Sequence, residues 1–277
     1  MTPKTTDEDA PGMESPPEAE PWNLVADGYT AVILPMSEHF AREALRLASL
    51  PPSAHIVDVA AGPGPLTILA AKDGAVVSAI DFSPAMVANL RRRADELGIE
   101  IADLRVGDGQ NLPYGDNSFD GAFSLLGLIF FPDRAAGFRE LRRILRSGRR
   151  AVVSSMASLS APFTAAVKII NTVLPELPVP QGEPPLSDPE TFTQEMSAAG
   201  FYDVVVHTIP YYETTPSVSE FWKKMQMGAG YVTQLRHKMG EERWAEVSQA
   251  VLDRLIDKLG DGQVDEVYTN HLGVGVK

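Results

Sequence analysis

Four segments of this sequence carry residue types and spacings that suit a nucleoside ligand. The first is Val57-Asp58-Val59-Ala60-Ala61-Gly62-Pro63-Gly64. Gly62 and Gly64 let backbone amides approach a ligand closely, because no Cβ intervenes. A helix starting just after them offers unpaired N–H groups and the positive end of its dipole. A tight strand-to-helix turn would use the same residues, and Thr67 stands where a dinucleotide fingerprint has its third glycine. The second segment centres on Asp81, about twenty residues beyond Gly62, the distance at which an acid can accept hydrogen bonds from both ribose hydroxyls. A carboxylate favoured by a helix dipole is the competing reading, but Ser83 already supplies the cap there. The third is Gly107-Asp108-Gly109-Gln110, where a carboxylate can accept from an exocyclic amine such as that of adenine. A polar turn would use the same residues. The fourth, Asn117-Ser118-Phe119-Asp120, leads into an apolar run that ends near Pro132.

These segments fall at the ends of predicted strands. HIVDVA (55–60) and AVVSAI (75–80) are short, β-branched runs of the kind found in buried parallel strands. Residues 101–106, 119–126 and 150–156 extend the series. Helices are expected over 65–72, from Ser83-Pro84 to Leu97 with Gly98 as the stop, and over 134–146. An earlier amphipathic helix is expected over 37–50, with Ser37 as its N-cap. Strands alternating with helices imply a doubly wound α/β fold, a parallel sheet covered on both faces. Ligands bind such sheets beyond the carboxyl ends of the strands.

After residue 156 the rhythm changes. A helix is expected over 161–174, then a Pro-rich loop, then a helix opened by a Ser187–Glu190 capping box. A strand over 203–209, a mostly helical stretch over 217–259 and a closing strand over 268–277 follow. Residues 22–277 read as one domain, with cap insertions near 157–186 and 213–262. Residues 1–21 hold many prolines and carboxylates and no aliphatic cluster, so an acidic disordered tail is expected there.

The chain has 24 Lys and Arg against 37 Asp and Glu, a net charge of −13. That balance disfavours nucleic acid and anionic membrane surfaces as partners. It has no cysteine, which removes disulfides, thiolate metal sites and cysteine nucleophiles, and no metal-ligand spacing is visible. Nothing approaches the roughly 20 apolar residues of a membrane span, so a cytoplasmic protein with a small-molecule substrate is expected. The oligomeric state is open. None of the histidines His39, His55, His207, His237 and His271 falls in a motif that assigns it a role. Glu38, Glu176 and Tyr211 are equally open, and no catalytic base is named.

The stretch from about 55 to 156 resembles the class I S-adenosylmethionine-dependent methyltransferases, closest in pattern to the small-molecule enzymes of ubiquinone and menaquinone biosynthesis. Their D-x-G-x-G-x-G loop corresponds to Asp58 through Gly64, with Ala60 in place of the first glycine. Asp81 matches the ribose acid, and Phe82 and Met86 match positions flanking the adenine. Asp108, with Gly109 and Gln110, matches the adenine-amine acid. LPYGDNSFD (112–120) matches the run into the fourth strand, and LRRILRSGRR (141–150) matches the L-x-P-G-G turn with substitutions. The resemblance implies a Rossmann-like sheet of seven strands, one antiparallel, with a helical cap. It implies S-adenosyl-L-methionine as cofactor. It also implies cofactor contacts from Tyr29, in the N-terminal segment, and from Leu125, with Ile129 and Phe130 facing the substrate.

The insertions hint at that substrate. Phe130, Phe131, Phe163, Phe221, Trp222, Met225 and Met227 lie in segments expected to cap the cofactor end of the sheet, which suits a hydrophobic, aromatic or isoprenoid-like molecule. Packing of the cap itself would use the same residues. A nicotinamide-dependent oxidoreductase is the rival enzyme reading, disfavoured by Thr67 and the Asp108 loop. A non-catalytic S-adenosylmethionine-binding regulator is the other rival.

Overall fold

The computed structural model describes residues 19–179 and 182–277. The acidic tail expected over 1–21 lies outside the described residues as far as residue 18. Residues 20 and 21 already belong to the first helix, α1 (Glu20–Ala48). This helix is far longer than the expected 37–50. It runs through Pro35, and Ser37 is an interior residue rather than the N-cap. Proline there costs an intrahelical hydrogen bond. Burial on both sides of it offsets the loss: Val25, Ala26 and Thr30 are covered before Pro35, and Phe40, Ala41, Ala44 and Ala48 after it.

Seven strands form one sheet in the order β3-β2-β1-β4-β5-β7-β6. The first three are β1 (His55–Val59), β2 (Val76–Asp81) and β3 (Asp103–Val106). Next come β4 (Phe119–Leu125) and β5 (Leu145–Ser158), and all five run parallel. β6 (Tyr202–Thr215) is an edge, and β7 (Val264–Val276) lies between β5 and β6, antiparallel to both. The expected parallel sheet with one antiparallel strand is the observed topology. Strand β5 begins five residues before the expected 150, so α4 (Arg134–Ile144) stops at Ile144 and Gly148 turns within the strand at φ 74°.

The apolar runs are continuous because both faces are covered. In β1, Val57 and Val59 pack with Phe138 of α4, while Ile56 on the opposite face packs with Phe40 and Ala44 of α1. Helices α2 (Pro65–Lys72) and α3 (Pro84–Leu97) follow β1 and β2. Ser83 caps α3 as expected, its Oγ accepting from Met86 N at 3.2 Å, and Gly98 ends the helix in the left-handed region. Helix α6 (Pro189–Ala198) is capped by Asp188, not Ser187: the carboxylate accepts from Thr191 N at 2.8 Å.

The stretches set aside as cap supply α5 (Ala161–Val173), α7 (Val218–Gly228), α8 (Gly230–Met239) and α9 (Glu241–Leu259). These helices share a core of their own, including Ile170, Phe221, Trp222, Trp244 and Val251. Trp222 Nε1 donates to Ser248 Oγ at 2.9 Å and Trp244 Nε1 to Gln226 Oε1 at 3.0 Å, so both indoles are satisfied within the bundle. Among the described residues no helix is long and apolar enough to cross a membrane.

Candidate functional site

The carboxyl ends of β1 to β5 open into a cavity of 570 Å³, within the usual size range for small-molecule sites. Its first wall is the turn after β1. Ala60 leaves the strand with φ 57°, and Gly62 and Gly64 follow at φ 54° and 74°. Gly62 N donates to Asp81 Oδ2 at 2.8 Å, and Gly64 N to the Ala61 carbonyl at 2.9 Å. A Cβ at Gly64 would sit 2.0 Å from Leu90 Cδ1, so this position needs glycine for space as well as conformation. The Arg93 guanidinium, which is also 3.7 Å from Glu38 of α1, donates to the Pro63 carbonyl.

Asp58 and Thr67 serve that turn from behind. Thr67 Oγ1 donates to Asp58 Oδ2 at 2.7 Å, joining β1 to α2. The threonine that broke the dinucleotide fingerprint is thus the partner of a buried carboxylate. Burial raises the Asp58 carboxyl to about 7. Asp58 does not line the cavity, and neither does Gly64, whereas Ala60, Ala61 and Gly62 do.

Ala60 is an L-residue in the left-handed region, at a cost of roughly 1–2 kcal/mol. Its methyl is accommodated by the missing side chain of Gly127. A Cβ at 127 would lie 2.3 Å from Ala60 Cβ. The glycine missing from the loop has in effect a counterpart across the site, at the end of β4.

The second and third walls carry the two acids. Asp81 ends β2, its Oδ2 holding Gly62 N and its Oδ1 accepting from Ser83 N at 2.9 Å. Burial raises its carboxyl to about 6. Asp108 follows β3, and its Oδ1 accepts from Gln110 N at 2.8 Å and from Gln110 Nε2 at 3.1 Å. Its Oδ2 has no hydrogen-bond partner among the described residues. Gln110 Oε1 in turn accepts from Asp133 N at 2.7 Å, tying this loop to the start of α4. Gly109 has no room for a side chain: a Cβ would meet Phe131 at 2.4 Å and Val59 at 2.7 Å. Phe82 and Met86 line the cavity beside Asp81.

The remaining walls are apolar. Leu125 and Leu126 close β4, with Leu126 N donating to Ser154 Oγ of β5 at 2.9 Å. The 3-10 turn Leu128–Phe130 then sends two neighbours in different directions. Phe130 is 52% exposed, lines the cavity and meets Trp22 edge-on at 5.0 Å. Ile129 is buried in the sheet–α4 core and is not on the cavity wall, contrary to expectation. Helix α1 contributes Trp22, Tyr29, Ser37 and Phe40. Burial, with Asp81 nearby, pushes the Tyr29 hydroxyl up to about 12. Ser37, Phe40 and Ser154 were missed by sequence reasoning, because nothing local to Ser37 and Phe40 in α1 or to Ser154 in β5 signals which face meets the cavity.

Of the residues expected from the capping segments, Phe130 and Phe131 line this cavity, and Phe163, Phe221, Trp222, Met225 and Met227 do not. Phe221, Trp222 and Met225 are in the interior of the helical bundle, so packing explains them. His39 contacts the Pro210 carbonyl at 3.1 Å, and His271 contacts Thr208 Oγ1 and the Ser187 carbonyl at 3.1 and 3.0 Å. Glu176 pairs with Arg243. The ionisable groups on the wall are therefore Tyr29, Asp81 and Asp108. Among the described residues no group of three or more His, Asp or Glu could hold a metal ion.

S-adenosylmethionine, the group the sequence resemblance implies, fits this donor set. Each Asp81 oxygen accepts one backbone N–H and keeps a further lone pair for a ribose hydroxyl. Asp108 Oδ2 is free to accept from an amine. Gly62 and Gly109 keep side chains off the wall between them, and Phe82 and Met86 offer flat or polarisable surfaces beside it.

Residues 57–153 match the family model described as "Methyltransferase domain". A demethylmenaquinone methyltransferase of Corynebacterium kroppenstedtii is 38% identical over 116 residues, 42% of this chain and 48% of that protein. The chain spans about half the length of the curated demethylmenaquinone methyltransferases it matches. Among solved structures, the YcgJ protein of Bacillus subtilis aligns with a TM-score of 0.58 at 17% identity, over 86% of this chain and 98% of that one. Phosphoethanolamine N-methyltransferase 2 of Haemonchus contortus, solved with S-adenosylhomocysteine, aligns with a TM-score of 0.51 at 17% identity, over 86% of this chain and 52% of that one. At these identities the structural likeness is one of fold. Fold, site geometry and family match agree: residues 57–153 match a methyltransferase domain, on a fold similar to that of the class I S-adenosylmethionine-dependent family.

Proposed function

We propose that the protein transfers a methyl group from S-adenosyl-L-methionine to a small, largely apolar molecule of aromatic or isoprenoid-like character. The observation that carries this reading is the mixed lining of one cavity. Asp81 and Asp108, on adjacent strand ends, supply acceptors, and Leu125, Leu126, Phe130 and Trp22 supply apolar surface. The demethylmenaquinone methyltransferase relatives favour a quinone-like acceptor. We read residues 22–277 as one domain, with α5 and α7–α9 as its cap. The same reading places the protein in the cytoplasm, and the charge of −13 supports an acceptor other than nucleic acid.

When bound, S-adenosylmethionine supplies an activated methyl group on a sulfonium. In this reading Asp81 holds the ribose hydroxyls and Asp108 the adenine amine, while Phe82 and Met86 flank the ring. Tyr29 and Trp22 cover the site from α1, and the turn at Ala60–Gly62 presents backbone to the amino-acid part. The chain's main task is to hold donor and acceptor in line and keep water out. Orientation of that kind supplies roughly 7–11 kcal/mol in favourable cases. Among the described residues the wall carries no base besides the two acids, which suits an acceptor that needs no deprotonation by the protein.

The test is a thermal-shift panel followed by labelling. S-adenosylhomocysteine should stabilise the protein, and NAD and NADP should not. Isotopically labelled S-adenosylmethionine, incubated with the protein and an extract of the native host, should then yield a labelled small molecule detectable by mass spectrometry. Stabilisation by NAD or NADP alone would overturn the reading, as would binding without transfer to any component of the extract.

A further inference from the structure

Helix α3 carries three consecutive arginines, and the helical turn sends each to a different setting. Arg91 Nη2 reaches the Leu104 carbonyl at 3.5 Å on the surface, and Arg92 meets Asp27 at 3.4 Å with both side chains more than half exposed. Arg93 is largely buried, its side chain 13% exposed. Its guanidinium donates to the Pro63 carbonyl in the turn after β1 and stands 3.7 Å from Glu38 of α1. Burying a guanidinium costs solvation unless its N–H groups find partners, so its contact with a backbone carbonyl of this turn calls for a reason.

The reason lies in how the turn is bonded internally. The Pro63 carbonyl belongs to the same peptide unit as Gly64 N, which donates to the Ala61 carbonyl at 2.9 Å. The Ala61 carbonyl in turn shares a peptide unit with Gly62 N, which donates to Asp81 Oδ2 at 2.8 Å. The bonds therefore form one line, from the Arg93 guanidinium through the 63–64 and 61–62 peptide units to the Asp81 carboxylate. A cation stands at the donor end and an anion at the acceptor end. The bonds at both ends are charge-assisted, and hydrogen bonds arranged in such a chain polarise and strengthen one another where the dielectric is low.

We infer that Arg93 is a positioning residue: with Asp81 it forms the charged ends of a hydrogen-bond chain that fixes the peptide planes of residues 61–64, where they face the amino-acid part of the cofactor. The inference rests on the methyltransferase reading for what the turn holds, and on the hydrogen bonds alone for the chain. Arg93 does not line the cavity, whereas Gly62 and Pro63 do, so its effect passes through the turn. Glu38 flanks the guanidinium from α1. It stands next to Ser37, a lining residue, and also faces Arg42 at 3.8 Å. Arg93 and Glu38 border a groove of 340 Å³ behind the turn, together with Arg42 and the exposed Lys72. A small cation can enter by that route once the Arg93 side chain is removed.

Two measurements on the full chain test this. Calorimetry compares S-adenosylhomocysteine with 5′-methylthioadenosine, which lacks the amino-acid part. Arg93→Ala should bind the first about tenfold more weakly and the second within about twofold of wild type. Guanidinium chloride at about 20 mM, far below the denaturing range, should recover most of that loss in the variant and change nothing in wild type. Sodium chloride at the same ionic strength should not recover it. Urea melts without ligand then close a double-mutant cycle with Asp81→Asn. The two changes should be coupled by at least about threefold in the folding equilibrium, since each breaks the same chain. Arg93→Lys keeps the charge but not the planar fork, so it should fall between wild type and Arg93→Ala, and it carries both measurements should the alanine variant not fold. Equal weakening of both ligands would overturn the inference, because the arginine would then serve the fold at large. So would unchanged S-adenosylhomocysteine affinity in a folded variant, absence of rescue, or additive melts. Failure of the wild type to bind either ligand would instead sink the methyltransferase reading, and the melts alone would still decide the chain.

Discussion

Removing the Asp81 carboxylate tests the site at its centre. Both oxygens of this buried group are half used, by Gly62 N at 2.8 Å and Ser83 N at 2.9 Å, and in the proposed complex their remaining lone pairs take the ribose hydroxyls. A hydrogen bond to a charged acceptor contributes about 1.5–3 kcal/mol. Loss of one such bond to the ligand predicts that Asp81→Ala binds S-adenosylhomocysteine about 10- to 150-fold more weakly. Loss of the anchor on Gly62 adds to this. The pH dependence offers a second reading of the same group. Burial raises the carboxyl to about 6, and the ionised form is the one that accepts from both hydroxyls. Wild-type affinity should therefore climb between pH 5 and pH 7 and then level off, and the climb should be absent in Asp81→Ala. Titration calorimetry across that range measures both effects, with circular dichroism to establish that the variant is folded. A folded Asp81→Ala protein with wild-type affinity would refute the assignment.

Two further predictions concern the fold around the site. Gly127→Ala places a methyl 2.3 Å from Ala60 Cβ and should destabilise the protein by about 1–3 kcal/mol. Adding Ala60→Gly should restore most of the loss, and a double-mutant cycle by denaturant melts with no coupling would disprove the contact. Asp58, raised to about 7 by burial, favours its protonated form in the folded state more than in the unfolded one. The native protein then binds more protons between its ordinary carboxylate value and about 7, so this group's contribution to stability is full below pH 4 and lost as the pH rises through 7. Asp58→Asn should gain stability relative to wild type between pH 5 and pH 8, as read from urea melts at both values.

The parts of the site legible in the sequence were those written in short local patterns. Asp81 and Asp108 were readable because each follows a β-branched run by one or two residues, where an open sheet presents its ligand groups. Ser83 was readable as a cap because the proline after it marks a first helical turn. Helix α1 was misread for the opposite reason: Pro35 and Ser37 look locally like a helix start, and tertiary burial of both halves overrides them. Ser187 and Asp188 are adjacent cap candidates, and local spacing does not separate them. Ile129 and Phe130 differ by one residue in a tight turn, which decides which enters the core and which faces the cavity. The cap aromatics carried a composition signal that packing and binding share, and packing accounts for Phe221 and Trp222. The fit between Ala60 and Gly127 joins positions far apart in the chain and had no local signature.

The place of β7 has a consequence for how this protein is made. Both neighbours of this strand, β5 and β6, precede it in the chain. Until residues 264–276 have left the ribosome, the nascent sheet exists as two pieces with unpaired edges at Arg150–Ser158 and along β6. Backbone amides exposed in that way invite pairing with other chains. Zipping of one late strand into a waiting gap also demands contacts distant in sequence, a slow class of event. Biogenesis should therefore be most vulnerable while β6 has emerged and β7 has not, when chaperone protection would matter most.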